Sequence, residues 1–274
     1  MILANYGIVS SSSGGAINYD ADALAFMTAA SITDNTQKTA VNSLVTDLKT
    51  ANIWSKMKAL YPFVGGSATS HKFNLKDPRD LDAAFRLSFV GGGTHSATGY
   101  FPNGTTAYAN TFIKPNLTLN STNSHLSYYS RTDTSNLMMI GMQDDNVGTA
   151  AHYIIANKTQ DSYAISCTDA NRVVVNASNT QGFYVVSRES LTSLKGYKQG
   201  SIQGTNTATS LGGRGAINIL IGAYNYRPPS GSDSISYGNK ECAFASIGDG
   251  LTDTDASNFY TAVQNYNTTL NRNV

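Results

Sequence analysis

Charged residues are scarce in this chain, which has 19 Lys and Arg and 18 Asp and Glu among 274 residues. They make up 14% of the sequence, against about 25% in an average domain. Hydroxyl, amide and backbone groups must therefore form most of the surface. The formal net charge of +1 gives no strong field that would attract nucleic acid or an anionic membrane, and we expect neither as a partner.

Cysteine is rare as well, since the chain contains only Cys167 and Cys242. Their spacing does not show whether the fold brings them together, and we interpret both as small buried hydrophobic residues. Two cysteines and four dispersed histidines exclude a structural zinc framework. We interpret the histidines as structural residues of the core or of cross-strand pairs rather than as general bases.

Long apolar runs are also missing. No segment approaches the ~20 residues that a bilayer crossing needs. Residues 1–6 show neither the basic nor the apolar region of a secretion signal. The sequence therefore predicts no membrane partner.

Residues and motifs typical of catalytic sites are scarce in this sequence. The only glutamates, Glu189 and Glu241, lie far apart in the sequence, and the Glu-x-Asp-x-x-Glu pattern of paired carboxylates for glycoside cleavage is missing. The chain has no Gly-x-Ser-x-Gly nucleophile motif and no phosphate-binding loop. We therefore expect a protein that is not an enzyme, and a glycan depolymerase is the alternative that the shortage of glutamate disfavours.

The N-terminal quarter differs from the rest of the chain. Residues 1–16 are rich in Ser and Gly and predict an extended arm. Residues 17–62 predict a helical segment, with N-caps at Asp20 and Asp34 and a third short helical piece over 53–61. We expect the arm and this segment to dock onto a partner protein. The candidate docking residues are Tyr6, Ile8, Ile17 and Tyr19.

From about residue 70 the apolar period changes to two. About a dozen short apolar runs follow, separated by Gly, Asn, Asp and Ser clusters. This spacing is typical of an antiparallel β-sandwich rather than of alternating strands and helices. We expect the sandwich to span 63–274 and to close with a C-terminal helix capped by Thr252 and Asp255.

Tyrosine is abundant, with 16 residues. A tyrosine ring buries apolar area and keeps a polar hydroxyl, so we expect most of these residues in the sandwich core or at its edges. Exposed tyrosines could stack on sugar rings while Asn, Ser and Thr supply hydrogen bonds. The preferred carbohydrate-binding cluster is Tyr224, Tyr226 and Arg227, at the mouth of a loop that contains Pro228 and Pro229.

One adjacent pair of carboxylates stands out, at Asp144 and Asp145, followed by Asn146. Their oxygens are suitable calcium ligands, although the spaced ligand series of a calcium loop is missing. A solvated loop and a calcium site both remain open. No other cofactor is expected.

Two parts of the chain, one in its C-terminal third and one near its N-terminus, resemble known families. Residues 182–198, 217–225 and 243–253 resemble the closing half of laminin-G-like, concanavalin A-like jelly rolls. The resemblance implies a jelly-roll β-sandwich with no activity of its own. Lectin members of the wider family bind sugar, some with calcium, but none of their ligand motifs is matched here.

Residues 20–66 resemble a leader segment found ahead of such jelly rolls in tailed-phage and prophage virion proteins. This resemblance implies a structural protein located in the virion, such as a head- or tail-associated fibre or decoration component. Its partners would be other virion proteins and copies of itself, and a trimer would suit a fibre. The alternative is a carbohydrate-binding adhesin that recognises host-surface glycan.

Overall fold

The computed structural model describes residues 18–134, 138–148, 150–159, 162–167, 171–176 and 179–274. Its helices are α1 (Ala21–Ala29), α2 (Asn35–Thr50), α3 (Ala68–His71), α4 (Pro115–Thr118) and α5 (Asp253–Thr269). Its strands are β1 (Met57–Tyr61), β2 (Ser88–Val90), β3 (Thr94–Ser96), β4 (Gly99–Phe101), β5 (Tyr108–Asn110), β6 (Ser124–Ser130), β7 (Met138–Asp144), β8 (Ala151–Thr159), β9 (Ser162–Cys167), β10 (Val173–Asn176), β11 (Gly182–Ser190), β12 (Ser193–Lys198), β13 (Ser201–Asn206), β14 (Leu220–Ile221), β15 (Ala223–Arg227), β16 (Ser234–Tyr237) and β17 (Cys242–Gly248).

The strands form two sheets that pack face to face. The first sheet has the order β13-β12-β11-β6-β17-β4-β3, and β1 also pairs with β17. The second has the order β10-β9-β8-β7-β14-β5-β2, with β15 and β16 joined beside β7. The predicted mostly β sandwich, with N-terminal helices and a C-terminal helix, is confirmed. The sheets are not purely antiparallel, because β15 runs parallel to β7.

The central strands of the first sheet, β6, β11 and β17, are largely buried on both faces, whereas its edge strand β13 is mostly exposed. Along β11, Tyr184 and Val186 join the core between the sheets, whereas Phe183 and Val185 join a second core under the helices. Successive side chains of a strand point to opposite faces. The unbroken apolar run of β11 therefore reflects burial on both sides.

The helices form a layer over the outer face of this first sheet. The second core combines side chains of α1, α2 and α5 with those of β6, β11, β12 and β17. Phe259 of α5 is fully buried there, with its ring centroid 5.1 Å from that of Phe183 and 5.8 Å from that of Phe244.

Local capping explains where the main helices begin. The Asp34 side chain accepts a hydrogen bond from the Gln37 backbone N–H at the start of α2. Thr252 and Asp255 form a reciprocal capping box at the start of α5. Both caps satisfy N–H groups that have no partner within the helix, and both helix starts agree with the sequence prediction.

The predicted third helical piece over 53–61 is wrong. Only Trp54–Lys56 is helical, as one 3-10 turn, and Met57–Tyr61 is strand β1. Ala59 and Tyr61 enter the core between the sheets, while Met57 and Leu60 enter the helical core. Pairing with β17 gives this short segment its two buried faces, which the 53–61 sequence alone does not reveal.

A buried arginine ties the C-terminal end to the sandwich. The Arg272 guanidinium donates to the carbonyls of Pro62 at 2.7 Å, Phe63 at 2.7 Å, Ala97 at 3.2 Å and Ala243 at 2.9 Å. Carbonyl acceptors surround this charge, and burial lowers its pKa. The contacts join the end of the chain to the loop after β1 and to β17.

Cys242 is a buried free thiol, as expected for a small core residue. The side chain of Cys167 lies outside the described part of the chain. None of the helices described in the structure combines the length and apolar character needed to cross a membrane.

Candidate functional site

A sharp reversal at Gly222 builds one rim of the second sheet. Before it, Leu220 pairs antiparallel with Gly141 of β7; after it, Tyr224 pairs parallel with the same residue. Gly222 has a φ of +77°, and a side-chain Cβ at this position would lie 2.8 Å from Pro102. Only glycine meets both the backbone and the packing requirement without strain.

This reversal brings together the two candidate sites predicted separately from the sequence. The parallel register places Tyr226 beside Gln143 and Arg227 beside Asp144. We call the group formed by Gln143, Asp145, Tyr224, Tyr226 and Arg227 the rim site.

Two tyrosines form the aromatic part of the rim site. The rings of Tyr224 and Tyr226 are nearly parallel, at 8°, with centroids 6.1 Å apart. Both side chains are partly exposed. The Tyr224 hydroxyl donates a hydrogen bond to Gln143 Oε1, and burial followed by the Asp145 charge raises its pKa. The neutral hydroxyl is therefore retained at physiological pH.

A chain of polar side chains runs beside these rings. Gln143 Nε2 donates to Asp145 Oδ2 at 2.6 Å, and His152 Nε2 lies 3.4 Å from Asp145 Oδ1. Desolvation and the nearby Asp145 raise the pKa of Tyr226. Hydroxyls, an amide and a carboxylate thus lie next to aromatic surface, a combination that can bind a ligand with both apolar and hydroxyl groups.

Asp144 is the buried support of the rim. Its Oδ1 accepts the Asn146 backbone N–H at 3.1 Å, and its Oδ2 accepts the Ala216 backbone N–H at 2.8 Å. Arg227 Nη1 lies 3.8 Å from the same Oδ2. Asp144 therefore joins β7, the segment before β14 and β15 into one unit.

Within the described residues, no group of three or more His, Cys, Asp or Glu side chains is arranged to hold a metal ion. Asn146 contributes its backbone N–H to Asp144 and is itself exposed. Calcium binding by Asp144, Asp145 and Asn146 stays a prediction.

Arg227 is held in a fork by Asp233. Its Nε donates to Asp233 Oδ1 at 3.0 Å and its Nη2 donates to Asp233 Oδ2 at 2.9 Å. The two residues flank the loop of the β15–β16 hairpin, next to the pair formed by Tyr226 and Ser234. Hydrogen bonding to Asp233 raises the pKa of Arg227, and the same contact lowers that of Asp233.

Sequence reasoning missed Gln143 of the rim site and the two residues that contact the site, His152 beside Asp145 and Asp233 beside Arg227. Asp233 was within reach of a sequence argument, because Pro228-Pro229-Ser230-Gly231 suggests a turn that would bring Asp233 back to Arg227. Gln143 and His152 gave no local signal, since the β15–β7 pairing and the β7–β8 register place them.

Away from the rim site, a histidine and two serines form a hydrogen-bonded group in the buried interior. His125 Nε2 is 2.9 Å from Ser246 Oγ, which is 2.6 Å from Ser127 Oγ. All three residues are fully buried, so no substrate reaches the hydroxyls. This supports the structural interpretation of His125.

The candidate docking residues are only partly covered by the structure. Tyr6, Ile8 and Ile17 lie outside the described residues. Tyr19 is partly buried, packs against the helical core and lines a shallow groove with Leu24. Its role in docking stays a prediction.

No protein-family model matches the sequence, and no curated protein matches it. Among solved structures, the chain is similar to the binding domain of botulinum neurotoxin DC in complex with rat synaptotagmin II, with 10% identity and a TM-score of 0.51 over 77% of this chain and 52% of that chain. It is also similar to botulinum neurotoxin type C, which interacts with two ganglioside molecules, with 12% identity and a TM-score of 0.50 over 78% of this chain and 53% of that chain.

A mutant Trypanosoma rangeli sialidase with trans-sialidase activity matches with 9% identity and a TM-score of 0.48, over 81% of this chain and 39% of that chain. The chain thus spans about half the length of the toxin structures and about two fifths of the sialidase. The toxin likenesses show a shared β-sandwich fold.

Proposed function

We propose that this protein is a non-enzymatic carbohydrate-binding β-sandwich and that the rim site holds the sugar. The observation that carries the proposal is the convergence of two partly exposed tyrosine rings with the Gln143 amide and the Asp145 carboxylate. Ring faces cover the apolar side of a sugar, while amide and carboxylate groups bind its hydroxyls. A neutral partner of this kind also suits a chain with little charge.

The two glutamates support a role without catalysis. Glu189 Oε1 lies 3.3 Å from Lys195 Nζ, and Glu241 Oε2 lies 3.3 Å from Arg131 Nε. Each glutamate lies beside a cation, Lys195 being shared with Asp253 at 2.7 Å, and neither glutamate belongs to the rim site. The proposal therefore assigns no acid and base pair to the sugar.

A glycan array with the purified full chain tests the proposal. We expect saturable binding that Tyr226→Ala weakens at least about tenfold, equivalent to about 1.4 kcal/mol, without a change in melting temperature. Tyr260→Ala is the matched control, because Tyr260 is a partly exposed tyrosine on α5. Equal binding by wild type and Tyr226→Ala, or binding to no glycan, contradicts the proposal.

The same array in EDTA decides the calcium question. Binding that disappears in EDTA and returns with calcium would show that the ion takes part in recognition and would favour Asp144, Asp145 and Asn146 as its ligands. Binding that survives EDTA leaves the tyrosines and their hydrogen-bonding partners as the recognition elements.

A virion location is a further proposal, which rests on the sequence resemblance over residues 20–66. In this proposal residues 1–62 anchor the protein to other virion proteins, and the sandwich is displayed outward to meet a host-surface glycan. Deleting residues 1–16 should abolish incorporation into particles while leaving glycan binding intact. Incorporation at the wild-type level would contradict the anchoring role.

A further inference from the structure

The charges of the rim site are unevenly distributed. The carboxylates of Asp144, Asp145 and Asp233 lie along it, with the guanidinium of Arg227 among them. Arg172 is exposed and close enough to Tyr224 to lower its pKa, although this is the weakest of the influences on that hydroxyl. Carboxylates therefore outnumber guanidinium groups around the tyrosines.

Arg227 is the arginine of the rim site, and the Nε and Nη2 fork with which it would bind an acidic sugar is already occupied. A carboxylate ligand uses the two parallel N–H groups of an arginine fork. In Arg227, Nε and Nη2 donate to the two oxygens of Asp233 at 3.0 and 2.9 Å. The remaining Nη1 faces buried Asp144 at 3.8 Å. Asp233 thus occupies the position that a sialic acid or uronic acid carboxylate would take.

The neighbouring groups suit a sugar whose polar groups are hydroxyls. Asp145 is a carboxylate acceptor, and Gln143 Oε1 and the tyrosine hydroxyls add further acceptor sites. Sugar hydroxyls donate to such acceptors, whereas a second carboxylate placed there is repelled. Like charges that meet across a binding surface cost affinity and thereby set specificity.

We infer that the rim site selects neutral glycans and rejects glycans that carry a terminal sialic acid or uronic acid. The inference rests on the proposed function, since it names the class of glycan bound at the same site. Asp233 is the specificity-determining residue, and it acts by filling the Arg227 fork.

Matched glycans that differ only by a terminal sialic acid test the inference. We expect wild-type protein to bind the neutral member at least about tenfold more tightly than the sialylated member in direct titrations. Asp233→Asn should open the fork and reduce this preference by about tenfold or more, with the neutral affinity largely kept.

Asp77→Asn is the matched control. Asp77 holds Arg79 in an equivalent fork, with contacts of 2.7 Å to Nε and 2.5 Å to Nη2, at the surface outside the rim site. The Asp77→Asn substitution removes the same charge and frees the same kind of arginine fork elsewhere on the surface. It should therefore leave the preference for the neutral over the sialylated glycan unchanged. An equal shift in both variants would show a bulk charge effect and overturn the inference.

The remaining outcomes separate the inference from the proposed function. Binding to neither glycan defeats both. Wild-type binding to the sialylated glycan at equal or greater strength overturns only the inference. If that binding is then lost in Arg172→Ala, the acid-binding cation is Arg172 rather than Arg227.

Discussion

The two sheets of the sandwich meet the same core but differ on their outer faces. The first sheet is covered by α1, α2 and α5, and its central strands send alternate side chains into two separate cores. The second sheet contributes to the shared core and carries the rim site at the β7 and β15 ends. The covered sheet packs against a second core on its outer side, while the other sheet holds partly exposed aromatic and polar groups.

This difference separates stability from recognition. Because residues between the first sheet and the helices are buried and closely packed, substituting any of them lowers the free energy of unfolding. On the rim, the groups proposed to bind a ligand are held by a few specific contacts, such as Asp144 with Ala216 and Arg227 with Asp233. Substitutions in the covered sheet should lower stability, whereas substitutions in the rim site should alter ligand binding.

The largest expected effect is acid destabilisation through two buried histidines, His71 on α3 and His125 on β6. Burial lowers the pKa of His71 to about 3, with His95 and Arg272 as further causes. Burial also lowers the pKa of His125 to about 4, opposed by the backbone and charge of Asp249 and by Asp255, and assisted by Lys56.

In the unfolded chain a histidine has a pKa near 6.5, so the unfolded state binds more protons below that pH. Stability is fully present above pH 6.5 and is lost as the pH falls toward 4, by about 3 kcal/mol for each of these buried histidines. Denaturant unfolding between pH 7 and 4 measures the loss. His71→Gln should flatten this dependence, and a free energy of unfolding that stays constant over the range would contradict the burial of both rings.

Phe259→Ala should give the next largest effect. The fully buried ring packs against Phe183 and Phe244 in the helical core, and its loss should cost about 3–5 kcal/mol. Tyr260→Ala changes the next residue, which is partly exposed, and should cost much less. Glycan affinity of the folded protein should be equal in both variants. A selective loss of binding in Phe259→Ala would contradict the separation of stability in the helical core from recognition at the rim site.

Gly222→Ala should lower both the stability of the protein and its glycan binding. The positive φ and the approach of Pro102 predict a loss of about 2 kcal/mol, together with loss of glycan binding as β15 is displaced. Gly212→Ala is the control, since Gly212 has a φ of +75° and its nearest contact is 3.9 Å away. Normal binding in folded Gly222→Ala would show that the reversal does not position the rim site.

Tyr226→Ala should have the smallest effect on stability, below about 1 kcal/mol, because its side chain is partly exposed. Its melting temperature should match that of wild type in the same buffer. A drop as large as that of Phe259→Ala would mean that Tyr226 is a packing residue.

Features that depend on nearby residues could be predicted from the sequence. The caps at Asp34 and Thr252 act over three residues, so their patterns are visible without the fold. The sequence over 53–61 predicts helix where the structure has strand β1, because the identity of this strand depends on pairing with β17, far along the chain.

Dependence on pairing between distant segments also limits what the sequence predicts about the rim site. The sequence predicts functional roles for Tyr224, Tyr226, Asp144 and Asp145, but as parts of two different sites. Their convergence depends on the reversal at Gly222 and on a parallel pairing between β7 and β15, and neither follows from local periodicity.

The most direct test of the central claim is a crystal structure of the protein soaked with the neutral glycan that binds most strongly on the array. The account predicts a sugar ring against Tyr224 and Tyr226, with hydroxyls within hydrogen-bond distance of Gln143 or Asp145. A sugar bound elsewhere, with the rim site empty, would contradict it.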